Sequence, residues 1–239
     1  MLNLLNSLDL LILVIFFDNV SKIYNSHSAA LKNVTLKIES KEFISIVGAS
    51  GAGKTTLLRL LIREEEPTEG TIYLDGQDIC NISRSRLHRL RRRIGVVFQD
   101  YKLLPLKTAF ENVAFAMEAA GKGDAEIHED IPQALELVGL GDKMDHFPDQ
   151  LSGGEQQRVA IARAIINRPD VILADEPAAN LDPVNTEEIT NLLMKVNGLG
   201  TTVILATHNR EVINSIDKRV VVFEKGVLVS DEEKGKYLA

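Results

Sequence analysis

The chain has 239 residues, 45 % of them apolar and 26 % charged, with a net charge of −7. That length carries one large α/β domain, or a domain with a subdomain, around a sizeable core. The acidic balance, the 5 % aromatic content and the absence of Trp argue against general nucleic-acid binding and against an aromatic platform for single strands.

An apolar run over residues 10–17 leads into the first predicted strand, residues 15–20. The run lacks the basic start and small-residue cleavage site of a signal peptide. No stretch reaches the length of a membrane-spanning helix. Residues 34–38 alternate as a half-buried strand does. Residues 43–47 read as a buried strand and residues 56–62 as the helix after it. Residues 71–74 form a strand entering a turn at Asp75 and Gly76. The single Cys80 excludes an intrachain disulfide and fits a reducing compartment. Residues 84–93 carry six arginines and His88. A solvated helix, offset by Glu64, Glu65 and Glu66, fits them better than a nucleic-acid patch. After a strand at 94–98 the pattern turns helical, from about residue 101 to 166. One helix spans 107–120 and ends at Gly121. A second spans 125–138, with Pro132 near its first turn or kinking it. A third spans 155–166 and is opened by Gly153 and Gly154. Strand and helix then alternate, which implies an α/β fold with parallel strands and crossover helices.

Gly48, Ala49, Ser50, Gly51, Ala52, Gly53, Lys54 and Thr55 fit the pattern G-x-x-x-x-G-K-[ST], between a strand and a helix. Its glycines let the backbone turn tightly and approach an anion. The freed N–H groups and the helix N-terminus then point at phosphate oxygens. Lys54 would reach the β- and γ-phosphates of ATP, and Thr55 would offer its hydroxyl to Mg²⁺. A Gly-rich turn without a ligand is the plain alternative, and the downstream motifs weigh against it. Residues 171–174 are apolar and lead to Asp175 and Glu176, as in a buried parallel strand that ends at a site. Asp175 would hold the Mg²⁺ coordination sphere. Glu176 would orient and deprotonate the attacking water. Taken alone, the two acids read equally well as a solvated start to the turn at Pro177. Gly153 and Gly154, at a helix N-terminus, form a second anion site.

With these marks in this order, the chain resembles the ATP-binding cassette (ABC) ATPases from about residue 17 to its C-terminus. The resemblance implies a P-loop NTPase fold of the ABC type, with an antiparallel β subdomain and an inserted α-helical subdomain over about 101–166. Residues 15–239 would form a single ABC ATPase domain. It places Tyr24 where an aromatic ring stacks on adenine, and Gln99 where a glutamine senses Mg²⁺ and the attacking water. Residues 151–157 match the signature motif, Leu181 and Asp182 the loop that crosses the dimer interface, and His208 the switch that contacts the γ-phosphate. Alone, Tyr24 would be a packed aromatic, Gln99 a polar strand end and His208 a surface histidine. By resemblance the nucleotide is held by Tyr24, residues 48–55 and Thr56, with Ser152, Gly153, Gly154 and Glu155 supplied by a second copy. Catalysis falls to Glu176, His208, Gln99 and Lys54, and Mg²⁺ to Thr55, Gln99 and Asp175. Two ATP molecules would lie in a two-fold homodimer. One departure stands out: Ala178 and Ala179 occupy positions where many relatives have Thr-Gly. No catalytic side chain is lost, so hydrolysis is expected to survive, and the geometry of the interface loop is the open point.

Residues 98–105, 107–117 and 206–210 narrow the resemblance to the cell-division branch, the FtsE-type ATPases. That branch implies an FtsX-like integral membrane protein as partner, docked near Gln99 and residues 101–106. It implies a peripheral place on the cytoplasmic face of the plasma membrane and control of cell-wall hydrolases. Such relatives start close to the first strand, which makes residues 1–14 an extension or the product of an upstream start codon. An interfacial anchor is the alternative there, without a basic residue to support it. Lipoprotein-release and macrolide-export ATPases share much of the same wording and remain the competing assignment. No nucleic-acid partner is expected.

Overall fold

The computed structural model describes residues 13–25 and 28–235, so the extension at residues 1–14 lies, but for its last two residues, outside the described residues. The described residues form two compact units, one within residues 13–91 and 204–235, the other from residues 92–203.

In the first unit, β1 (Leu13–Asn25) and β2 (Ser28–Glu39) pair as an antiparallel hairpin. β4 (Glu69–Leu74) joins the other side of β1, and the short β5 (Gln77–Asp78) follows it, giving the order β2-β1-β4-β5. Every second residue faces inward. Ile15, Phe17, Leu36, Ile38, Ile72 and Leu74 are accordingly buried. β1 runs further than the predicted 15–20 because a bulge interrupts its alternation. Asn19 has φ 50° and donates its N–H to Thr35 Oγ1 at 3.2 Å, and the register shifts between Phe17 and Val20. Beyond the bulge the strand resumes, pairing Lys22 with Leu31.

The unit's other sheet is mixed. β3 (Phe43–Val47) runs parallel to β9 (Arg219–Glu224), and β10 (Val227–Glu232) returns antiparallel to β9. All five residues of β3 are buried, the pattern of an interior parallel strand. α1 (Lys54–Leu61) follows β3, starting two residues earlier than the apolar run alone suggests, and buries Leu57, Leu58, Leu60 and Leu61. α7 (Arg210–Ile216) packs Ile213 against Val47 and Val220.

Arg219 fastens the end of this sheet. Its Nε and Nη2 donate to the two oxygens of Asp231 at 2.7 Å each, and its Nη1 donates to Glu42 Oε1 and to the Lys37 carbonyl at 2.9 Å each. The two carboxylates hold the guanidinium proton more tightly than usual, against the opposing effect of burial. An Arg219→Met variant keeps the aliphatic stem, removes the guanidinium from both carboxylates and leaves Glu42 with the Glu39 N–H. It is expected to lose about 2 kcal/mol, read as a lower urea midpoint with an unchanged slope. Lys at 219 should restore little, because an ammonium cannot reproduce the fork.

The basic segment forms a 3-10 turn at Arg84–Arg86 and the short α2 (Leu87–Arg92). Two of its arginines, Arg91 and Arg92, are tied down by backbone carbonyls. Arg91 donates to the carbonyls of Ile62 and Arg63, while Glu65 pairs with Lys22 and Glu66 with Arg63.

In the second unit, β6 (Ile94–Val97) and β7 (Val171–Asp175) pair in parallel, Ile94 opposite Val171. Arg93, just ahead of β6, donates its Nε to Asp170 at 2.6 Å. Between these strands lie α3 (Ala109–Ala119), α4 (Asp124–Leu137) and α5 (Gly153–Ile165). α3 starts later than predicted because Thr108 caps it, sharing a reciprocal box with Glu111. Pro132 sits in the interior of α4, not in its first turn. Asn112 of α3 is fully buried and satisfied. Its side chain accepts from the Leu104 N–H and donates to the carbonyls of Leu104, Lys107 and Thr108, fixing the loop ahead of the helix. α6 (Pro183–Gly198) follows β7, capped by Asp182 with Pro183 in its first turn. β8 (Thr202–Thr207), buried along its whole length, carries the chain back into the first unit.

Candidate nucleotide site

In the first unit the phosphate-loop residues turn back at the carboxyl end of β3, where ligands sit in such sheets. Gly48 has φ 155°, and a Cβ there would collide with the Phe223 carbonyl of β9. Gly53 has φ 106°, and its missing Cβ makes room for the Ala30 carbonyl of β2. The Ala52 carbonyl accepts the Gly226 N–H at 3.1 Å, and the Gly226 carbonyl accepts the Lys32 N–H at 2.8 Å. The loop is thus clamped from behind by β2, by β9 and by the β9–β10 turn. Sequence reading missed these supports, which lie far along the chain. Lys54, only 7 % exposed, folds its ammonium onto the loop's own carbonyls, at 2.7 Å from Gly48 and 3.3 Å from Ala49. Ala49, Ser50, Gly51 and Thr55 are exposed, so the outer face of the turn is open to an anion. The donor set suits a polyphosphate: successive backbone N–H groups, one ammonium and the start of a helix.

Tyr24 lies in β1 and is 48 % exposed rather than packed in the core. The Lys22 ammonium stands 5.0 Å from the ring centroid and is itself anchored to Glu65 at 2.8 Å. A ring held this way offers an open π face. His208 is exposed, just after β8. Asn209 fixes the corner by accepting the Glu211 and Val212 N–H groups and donating its own N–H to Thr207 Oγ1.

The second unit carries Gln99, Asp175, Glu176 and the signature residues. Glu176 follows β7 with φ 48°, a left-handed conformation unusual for a carboxylate residue, and its carbonyl accepts the Ala179 N–H at 3.2 Å. Ala178 and Ala179 are absent from the positive-φ residues. The turn therefore does not need the backbone freedom of Gly at 179.

α5 begins at Gly153, two residues before the predicted start, because Ser152 caps it. The Ser152 hydroxyl accepts the Glu155 N–H at 3.3 Å, and Glu155 accepts the Ser152 N–H at 2.9 Å. The other Glu155 oxygen meets the Lys143 ammonium at 2.5 Å. Lys143 and the Ser152 N–H hold the Glu155 carboxyl far below its ordinary range, at about 2. Gly154 cannot carry a Cβ, because Asn185 of α6 occupies that space. Asn185 is held in turn by Asp182, whose Oδ1 accepts its backbone N–H at 3.0 Å and whose Oδ2 accepts its Nδ2 at 2.5 Å. Those two bonds to Asn185 keep the Asp182 carboxyl below the ordinary range.

α5 also grips both ends of the segment around Gln99. Gln157, fully buried, donates Nε2 to the Phe98 carbonyl at 3.4 Å, and its Oε1 has no hydrogen-bond partner. Arg163 donates to the carbonyls of Tyr101 and Lys102 at 2.8 and 2.7 Å. Burial lowers its hold on the proton. Tyr101 and Lys102 are both left-handed, with φ 57° and 50°, so the segment turns sharply under this grip. Gln99 itself is exposed at the top of the turn. Sequence reading singled out neither Gln157 nor Arg163, since their acceptors are backbone atoms about sixty positions away.

Among the described residues no group of three or more His, Cys, Asp or Glu is arranged so that it could hold a metal ion. A Mg²⁺ site of one or two protein oxygens completed by substrate phosphates needs no such cluster, and Thr55 and Asp175 are of the type required.

This fold and this set of residues define a P-loop ATPase of the ABC type. Residues 31–179 match the ABC transporter family, and the chain belongs to that family as an ATPase domain. It is 48 % identical over 224 residues to the cell division ATP-binding protein FtsE of Bacillus subtilis (strain 168), covering 94 % of this chain and 98 % of that protein. FtsE of Mycobacterium tuberculosis is 46 % identical over 226 residues, with 94 % and 98 % covered. The methionine import ATP-binding protein MetN 2 of Bacillus anthracis is 45 % identical over 227 residues, covering 93 % of this chain and 66 % of that protein. Among solved structures, a dimeric ATP-binding cassette in a post-hydrolysis state with ADP and Pi superposes with a TM-score of 0.83. It is 38 % identical and covers 93 % of this chain and all of that one.

Proposed function

We propose that this chain is the ATP-hydrolysing subunit of an FtsEX-type complex. In it, ATP draws two copies together and an FtsX-like membrane protein transmits that closure to cell-wall hydrolases during bacterial division. The observation that carries the reading is the 46–48 % identity to FtsE proteins over 98 % of their length. Among the described residues no helix is long and apolar enough to cross a membrane, which accords with work done through a membrane partner.

The chemistry follows from the residues. The loop at 48–55 binds the ATP phosphates, with Lys54 on the β- and γ-oxygens and Tyr24 under the adenine. Thr55, Asp175 and Gln99 would hold Mg²⁺, which would supply neutralisation of the phosphate charge. Glu176 takes a proton from the attacking water, and His208 orients the γ-phosphate. Ser152, Gly153 and Gly154 of a second copy meet the same γ-phosphate. The dimeric form of the ADP-bound relative supports a paired arrangement.

The test is recovery of tagged Glu176→Gln from native membranes in ATP and Mg²⁺, read by mass spectrometry. The expected co-purifying protein is an FtsX-like permease, at least about tenfold enriched over the Lys54→Ala control. Recovery of a lipoprotein-release or efflux permease instead would overturn the cell-division role.

A further inference from the structure

The first turn of α5 holds a group that a second anion would avoid, a carboxylate. Glu155, counted by resemblance among the nucleotide-holding residues, lies at the third position of the helix with both oxygens engaged, one by the Ser152 N–H and the other by Lys143, and an ionised carboxylate has no donor to offer a phosphate, so it does not hold the nucleotide directly. Negative charge at this end favours the helix itself. It also opposes any phosphate brought to Gly153 and Gly154, and the opposition grows as the closing surfaces expel water. Protonation gives no relief near neutral pH, because the carboxyl stays ionised down to about 2.

A cation from outside the helix stands against this charge. Lys143 ends the 3-10 turn Gly141–Lys143 and places its ammonium 2.5 Å from the second Glu155 oxygen. The pair is partly shielded, with side-chain exposures of 33 % and 16 %. Shielding makes the neutralisation count for more than it would on an open surface. The cap is made by the other oxygen and by the Ser152 hydroxyl, so α5 does not need Lys143 in order to start.

We propose that Lys143 is a positioning residue for ATP-driven pairing: by neutralising Glu155 it keeps the α5 N-terminus receptive to the γ-phosphate held by a second copy. The assignment rests on the reading, made above, that Gly153 and Gly154 meet that phosphate. Lys143 touches no substrate in this scheme. It acts through the charge of Glu155, which makes the two side chains thermodynamically coupled, and a coupled pair is tested by a double-mutant cycle.

The cycle is built in the slow-turnover Glu176→Gln parent. Dimer fraction is measured by analytical ultracentrifugation against ATP concentration, for the parent and for added Lys143→Met, Glu155→Gln, or both. Lys143→Met should raise the ATP needed for half-dimerisation about tenfold. Adding Glu155→Gln should return it to within about threefold of the parent, because the charge that needed neutralising has gone. A structural role for Lys143 predicts no such rescue. Thermal melts of the monomers check that every variant is folded at the temperature of the measurement. A dimerising parent matched by Lys143→Met, or a double variant as weak as Lys143→Met, overturns the assignment alone. A parent that binds ATP and stays monomeric overturns the assignment together with the reading beneath it.

Discussion

A Glu176→Gln variant is expected to bind ATP normally, hydrolyse it at least about a hundredfold more slowly, and accumulate as a dimer. The substitution is nearly isosteric. It keeps the side-chain length and a carbonyl oxygen for orienting water, and removes the charge and the basicity. Residue 176 is left-handed at φ 48° and its carbonyl closes the turn to Ala179, a conformation that Gln tolerates about as well as Glu. Folding should therefore be preserved, and the loss should appear in turnover rather than in nucleotide affinity. Phosphate release under saturating ATP, with light scattering for dimer mass, separates the two quantities. Turnover within about threefold of the native chain would remove Glu176 from the role of base and shift attention to His208.

The parts of the candidate site that could be read from sequence are those whose chemistry is carried by neighbouring residues. The loop at 48–55, the acid pair after β7 and the Ser-Gly-Gly-Glu start of α5 are each one strand–turn or turn–helix unit, and their patterns are local. What sequence did not show is mostly carried by partners distant in the chain. The Ala30 and Phe223 carbonyls behind Gly53 and Gly48, the grip of Arg163 on residues 101 and 102, and the Lys143–Glu155 pair fall in this group. Two local features also lay beyond sequence, for different reasons. The bulge at Asn19 breaks the period of two and hides the second half of β1. The effect of Ala at 178 and 179 on the interface loop is open from sequence, and the left-handed residue of that turn is Glu176. Composition and period cannot say which residue of a turn takes positive φ.

Lys54→Ala is expected to lower ATP affinity at least about a hundredfold and to abolish measurable hydrolysis, through two separate losses. The first is the direct attraction of the ammonium for the phosphates. The second is internal to the loop. Lys54 bonds the carbonyls of Gly48 and Ala49, which would otherwise face an approaching anion with their negative ends. Without the ammonium, nothing at position 54 offsets those two dipoles, so the cradle becomes less receptive before any ligand arrives. Lys54→Arg should fail nearly as badly, which distinguishes this account from one based on charge alone. A planar guanidinium is larger and less able to direct donors at two carbonyls on one side and phosphate on the other. The loop cannot widen to accept it, because Gly48 is already pressed against the Phe223 carbonyl and Gly53 against that of Ala30. Titration calorimetry with a non-hydrolysable ATP analogue reads both variants. If Lys54→Arg binds within about fivefold of the native chain, the confinement argument is wrong and charge alone suffices.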